Sequence, residues 1–223
     1  MDLESARFTG QFAGPLSREA RLCTACRLAP PAFDRAVAYG IYENKLRELI
    51  HLLKYDGMRS LAEPLGGLLA EAVLQLESEA PRDLLVVAVP LFRSNQRERS
   101  YNQSVLLADA AIARLQRMRP EWRLGARHDL LRRVKATESQ FPLSARGRRR
   151  NLIGAFSVPD AAPVTGREVL LIDDIYTTGA TARACSLELR RAGARRVWVA
   201  TLAREQQEPA ALWEQSDQWD EDG

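Results

Sequence analysis

The chain has 223 residues, 46% of them hydrophobic, and a formal net charge of +3. That is enough apolar material for one large domain, or a core with a smaller appendage, and too little charge to mark a bulk nucleic-acid binder. Residues 1–8 carry no apolar run of a secretory signal, and the longest apolar run, Leu84 to Phe92, is broken by Pro90 and far too short to span a bilayer.

Of the 32 basic residues only Lys45, Lys54 and Lys135 are lysines, leaving 29 arginines. Codon usage in a GC-rich genome explains most of that bias, although the guanidinium fork also suits phosphates. Three unevenly placed cysteines do not make a disulfide framework, and the expected compartment is the cytoplasm.

In chain order, residues 1–30 form a weakly patterned N-terminal segment. Its one notable feature is Cys23-Thr24-Ala25-Cys26, a C-x-x-C pair that is half of a tetrahedral zinc site. The remaining cysteine, Cys185, is expected as a small buried residue on a helix. Pro30-Pro31 marks a boundary. Phe33 to Tyr42 alternates as a strand. Glu43 to Lys54 carries Leu46, Leu49, Ile50 and Leu53 at helical spacing, and Leu61 to Leu76 repeats the pattern. The charged end of the first of these helices is read as a helix terminus with Gly57 as its stop.

Leu84 to Pro90 is a buried strand. The loop after it holds Arg93, Arg97 and Arg99, a candidate anion site, and a helix follows from about Ser104 to Met118. Asp129 to Val134 reads as a strand. The polar, basic stretch from Lys135 to Asn151 has no period and contains Thr137, Gln140, Arg146 and Arg150; a loop of that length inside a compact domain is functional or mobile. Leu152 to Val158 leads to the stretch that organises the chain. Arg196 to Leu202 is the last clear strand, and residues 205–223 are an acidic, polar tail.

The organising stretch is Val169 to Thr181. Four aliphatic residues, Val169 to Ile172, read as a strand buried on both faces, as in a parallel sheet. Asp173 and Asp174 follow where that strand should end. Then come Thr177, Thr178, Gly179, Ala180 and Thr181, and a helix from Ala182 to Ala192 closed by Gly193. Backbone N–H groups in such a loop, together with the helix dipole, favour an anion. The carboxylates cannot bind the same anion and suit hydroxyls, or a metal, a few ångströms away. A ribose 5-phosphate has both ends.

This stretch resembles the phosphoribosyl-diphosphate (PRPP) signature of type I phosphoribosyltransferases. The resemblance implies an open, mostly parallel α/β sheet flanked by helices. It implies Asp173 and Asp174 as the catalytic acids on the ribose 2- and 3-hydroxyls, and Thr177 to Thr181 on the 5-phosphate. It also implies Arg93, Arg97 and Arg99 on the pyrophosphate, Mg2+ bound with PRPP, and a flexible lid including Thr137, Gln140, Arg146 and Arg150. Tyr176 departs from the aliphatic residue usual at its position.

A narrower resemblance rests on several stretches together: Leu46 to Tyr55, Val89-Pro90-Leu91, Arg97 to Ser104 and Ser139 to Phe156. These are similar to the ComF/GntX family over about residues 20–204, with a phosphoribosyltransferase-like domain at 31–204. Family members usually begin with two C-x-x-C pairs that form a zinc finger; here Cys23 and Cys26 supply one. Some members are tied to competence, the uptake of single-stranded DNA. The implied function is binding of Mg-PRPP and phosphoribosyl transfer to an acceptor that has no signature in this chain. The alternative is a non-catalytic PRPP sensor or a single-stranded-DNA-binding competence protein. In that alternative, pairs such as Arg99 with Tyr101, and Phe141 with Arg146 to Arg150, contact backbone and bases.

Overall fold

The structure is a computed structural model that describes residues 26–27, 30–92, 100–135, 147 and 151–206. β1 (Arg35–Ile41) leads to α1 (Asn44–Tyr55), a short 3-10 turn (Arg59–Leu61) and α2 (Ala62–Leu74). β2 (Asp83–Ala88), α3 (Gln103–Met118) and β3 (Arg123–Ala126) follow, then the two-residue strands β4 (Arg132–Arg133) and β5 (Phe156–Ser157). β6 (Glu168–Tyr176), α4 (Ala180–Arg191) and β7 (Arg196–Arg204) complete the order. Five strands form one sheet in the order β1-β7-β6-β2-β3, and every neighbouring pair is parallel. The α/β architecture expected from the sequence is the one observed.

The hydrophobic run in β6 is explained by its central place. Successive side chains on a strand point to opposite faces. Leu170 and Ile172 pack into one cluster with α1, α2 and α3, while Val169 and Leu171 pack into another with Leu189 and Cys185 of α4. Each face contributes, since burying one such aliphatic side chain is worth roughly 1.5–3 kcal/mol. On the first face α2 and α3 approach closely at Gly66, where a Cβ would lie 2.4 Å from that of Ala110.

Two expectations are corrected. Asp129 to Val134 is not a strand of the main sheet. Only Arg132 and Arg133 pair there, antiparallel to Phe156 and Ser157, while Leu130 and Leu131 are buried against the α4 face. The fifth sheet strand is β3, in register with β2 from Asp83–Arg123 to Val86–Ala126. Of its four residues only Leu124 is buried, so an edge strand of this kind carries almost no alternation to read. The second correction concerns β6, which runs past the acidic pair to Tyr176. The partner on one side, β7, extends equally far, and Tyr176 pairs with Arg204.

Candidate functional site

β6 and β2 are adjacent and parallel, yet the helices that follow them lie on opposite faces of the sheet: α3 in one core cluster and α4 in the other. This is a point where the strand order reverses, and it opens a crevice at the carboxyl ends of the strands. On the β2 side, pairing stops at Ala88–Ile172, and the last bond is Val89 N–H donating to the Ile172 carbonyl at 2.8 Å. Pro90 has no N–H to continue the ladder. Asp173 and Asp174 therefore sit just beyond β2, paired only toward β7.

The two carboxylates have different surroundings. Asp174 is 4% exposed. Its Oδ1 is 2.9 Å from Lys54 Nζ at the end of α1, and its Oδ2 accepts a hydrogen bond from Gln103 Nε2 in the first turn of α3 at 2.8 Å. Burial pulls the Lys54 ammonium down, but the Asp174 charge and hydrogen bond outweigh it and hold the pKa above its ordinary value. Asp173 Oδ1 accepts from Ser104 Oγ at 3.1 Å and from the Asp174 backbone N–H at 2.9 Å. Among the described residues, no hydrogen bond reaches its Oδ2. Burial, and then the neighbouring Asp174 charge, push the Asp173 carboxyl up to about 7. Cys185 lies near enough to feel that carboxylate; its thiol is raised first by burial and then by Asp173. The Arg133 guanidinium is lowered by burial, with Cys185 and Asp173 opposing.

An open cleft sits beside Asp173, and its walls include Thr177, Gly179, Ala180 and Thr181. Gly179 is the N-cap of α4 at φ 72° and offers no side-chain acceptor to the first-turn N–H groups. By contrast α3 is capped by Asn102, whose side chain accepts from Ser104 N–H at 2.9 Å. An uncapped helix start facing a cleft is suited to an anion. Gly179 is required twice over: for its left-handed φ, and because a Cβ there would meet Tyr176 Oη at 2.2 Å. Tyr176 thus folds back over its own loop, edge-on to Phe33 at 6.4 Å, with the Arg204 guanidinium 5.8 Å from its ring centre. That is the physical consequence of the departure from an aliphatic residue. Thr178 is absent from the cleft wall, and among the described residues its buried Oγ1 has no hydrogen-bond partner.

The structure therefore brings together Asp173, Thr177, Gly179, Ala180 and Thr181. Arg93, Arg97, Arg99, Thr137, Gln140, Arg146, Arg150 and Cys23 lie outside the described residues. Cys26 is described, and Arg183 Nη2 on α4 donates to its sulfur at 3.2 Å. Tyr101 is not available to stack on a base: it is buried in the core, its hydroxyl donates to the Leu53 carbonyl, and Arg59 covers its ring at 4.5 Å. Three residues near the acids were not singled out from sequence: Lys54, Gln103 and Ser104. Lys54 carried a usable signal. It lies four residues after Ile50, on the stripe that buries Leu46, Ile50 and Leu53, and a lysine on a buried stripe calls for a carboxylate partner.

No protein-family model matches the chain. DNA utilization protein YhgH of Salmonella typhimurium strain LT2 is 34% identical over 194 residues, 85% of this chain and 81% of that protein. Competence protein F of Haemophilus influenzae strain Rd is 31% identical over 205 residues, 91% of this chain and 86% of that protein. Among solved structures, the glutamine PRPP amidotransferase of B. subtilis complexed with ADP and GMP overlays with a TM-score of 0.39 at 22% identity. That overlay covers 63% of this chain but 26% of that one, and a score so low carries no argument about function.

Proposed function

The chain belongs to the ComF/GntX family, that of competence protein F and DNA utilization protein YhgH, and on that premise we propose that it binds Mg-PRPP and transfers the phosphoribosyl group to an acceptor. The observation that carries the reading is the juxtaposition of Asp173 with the uncapped start of α4 across one cleft, at the reversal of strand order. One end suits a sugar hydroxyl and the other a phosphate.

In this reading the N–H groups opening α4, with the Thr177 and Thr181 hydroxyls, hold the 5-phosphate. Asp173 accepts a hydrogen bond from a ribose hydroxyl. As the bond from C1 to the diphosphate breaks, positive charge grows on the ribose, and a carboxylate beside it is stabilising. Arg93, Arg97 and Arg99 are assigned to the diphosphate by family resemblance. Asp173, Thr177 and Thr181 offer hard oxygen donors beside the cleft that would suit Mg2+ brought in with the substrate, and the ion would supply neutralisation of charge on the leaving group. The protein's task is chiefly positioning.

Titration with Mg-PRPP should show binding that Asp173→Asn weakens by about tenfold or more; unchanged affinity in that variant removes the site. Turnover of PRPP against a panel of bases and amines then identifies the acceptor. The relatives' names connect the family with DNA use and competence, which favours a second reading as a PRPP sensor or single-stranded-DNA binder. Binding of that kind weakens steeply with salt, and a protein with no salt-dependent affinity for single-stranded DNA does not have it.

A further inference from the structure

We propose that the acidic pair is divided in its work: Asp173 alone contacts the ligand, and Asp174 with Lys54 and Gln103 forms a lock that positions β6 against α1 and α3. This rests on the reading of the cleft as a PRPP site, and it departs from the expectation that both acids face the sugar.

The geometry carries it. Asp173 is in the cleft wall and Asp174 is not. Both oxygens of Asp174 are taken, one by an ammonium at 2.9 Å and one by an amide at 2.8 Å. A ribose hydroxyl would have to compete with the Lys54 ammonium for Oδ1 or with the Gln103 amide for Oδ2, in a carboxylate that is only 4% exposed. Asp173 keeps Oδ2 unbonded among the described residues. Gln103 adds an independent observation. Its Oε1 is buried and has no partner among the described residues, in a residue only 4% exposed. A buried amide oxygen without a donor is costly, so the amide's orientation is dictated by its other end, the bond to Asp174.

The lock has a further consequence. The elements it joins are sequence-distant. Lys54 ends α1, whose Leu53 carbonyl accepts from Tyr101 Oη. Gln103 and Ser104 begin α3, immediately after Asn102, whose side-chain amide donates to the Val89 carbonyl at 3.0 Å. Every residue from Tyr101 to Ser104 is thereby tied to β2, α1 or the acids. Residues 101–104 are held at a set distance from Asp173. Lys54 and Gln103 are positioning residues in this scheme, acting through Asp174.

Single variants separate the two roles. Asp173→Asn should lower Mg-PRPP affinity by about tenfold or more, the worth of a lost charge-assisted bond, without lowering the melting temperature. Asp174→Asn and Lys54→Met should each lower the melting temperature and leave affinity within about threefold, measured well below the transition; Lys54→Arg should restore part of the loss. Either single variant leaves a buried group unpaired, so the double variant Lys54→Met with Asp174→Asn, which removes both charges, guards against misfolding. It should be more stable than either single variant and still bind. Carboxyl carbon NMR adds a signature that stability does not supply: addition of Mg-PRPP should shift the Asp173 resonance and leave that of Asp174 in place. A folded double variant that has lost affinity, or an Asp174 resonance that moves as much as Asp173, overturns the division. If the wild type itself binds no Mg-PRPP, the ligand reading falls, and stability alone judges the lock: a double variant more stable than both singles supports it, and strictly additive losses refute it.

Discussion

Replacing Asp173 by asparagine should make this protein more stable at neutral and alkaline pH, by an amount that grows with pH over a defined window. The carboxyl is held at about 7 against an ordinary 3.8, first by burial and then by the Asp174 charge. Between those values the unfolded chain has released this proton and the folded chain has kept it. Stability therefore falls as pH rises through that window and is level above about 7. Asparagine keeps the shape and can still accept from Ser104 and from the Asp174 N–H, but it never ionises. A difference of roughly 3 in pKa, at 1.36 kcal/mol for each, sets a ceiling of about 4 kcal/mol. Asp173 is only half-buried, and relaxation of the site reduces the gain to roughly 2 kcal/mol, or about 4–8 °C in melting temperature for a chain of this size. The assay is a series of thermal and urea melts of both proteins from pH 4 to pH 9. The advantage of the variant should increase up to about pH 7 and then stay constant. An advantage independent of pH, or a variant less stable at pH 8, refutes the reasoning. A stabilising variant that loses ligand affinity is the expected signature of a residue kept for function.

Three other outcomes follow from the same geometry. Lys54→Met should cost about 3–5 kcal/mol by leaving the Asp174 carboxylate buried and unpaired. Because the lysine's pKa is raised in the folded protein, the wild-type contribution of the pair should be complete below about pH 10 and lost only as pH rises past the ordinary lysine value of 10.5; loss near neutrality would contradict the pairing. Gly179→Ala should destabilise through both a left-handed backbone, worth about 1–2 kcal/mol, and collision with Tyr176. Adding Tyr176→Val should recover the collision and leave the backbone part, and melts of the single and double variants separate the two. Metal analysis should find less than one zinc per chain, since Cys23 and Cys26 supply only half of a tetrahedral set; a stoichiometric, tightly held zinc would show that other ligands complete it.

How much of the site was legible depends on how far apart its parts lie in the chain. Asp173, Thr177, Gly179, Ala180 and Thr181 are contiguous, and their chemistry follows from local rules. A buried strand must end, small residues must turn, and a helix must begin with unsatisfied N–H groups. Positions 169–181 therefore announce a cleft with an anion end and a carboxylate end before any tertiary contact is known, and the cleft forms there. The same locality explains the good agreement for α1, α2, α3 and α4, whose apolar stripes repeat at helical spacing.

What required the tertiary structure was the use made of each acid. Asp173 and Asp174 are neighbours of identical type, and the sequence determines only that two carboxylates follow a run of buried aliphatic residues. Their difference comes from Lys54 and Gln103, which are far away along the chain and reach Asp174 only because α1 and α3 pack on the same face of the sheet. Tyr101 makes the same point in reverse. Beside basic residues it reads as a surface aromatic, but the Leu53 carbonyl and the Arg59 guanidinium draw it inward. β3 was hidden because an edge strand with one buried side chain has no period to detect. Local pattern decides which backbone shapes a stretch can take. Whether a polar group is held or left to a ligand depends on which distant groups the fold brings within about 3 Å of it, and that distance is a property of the packed chain alone.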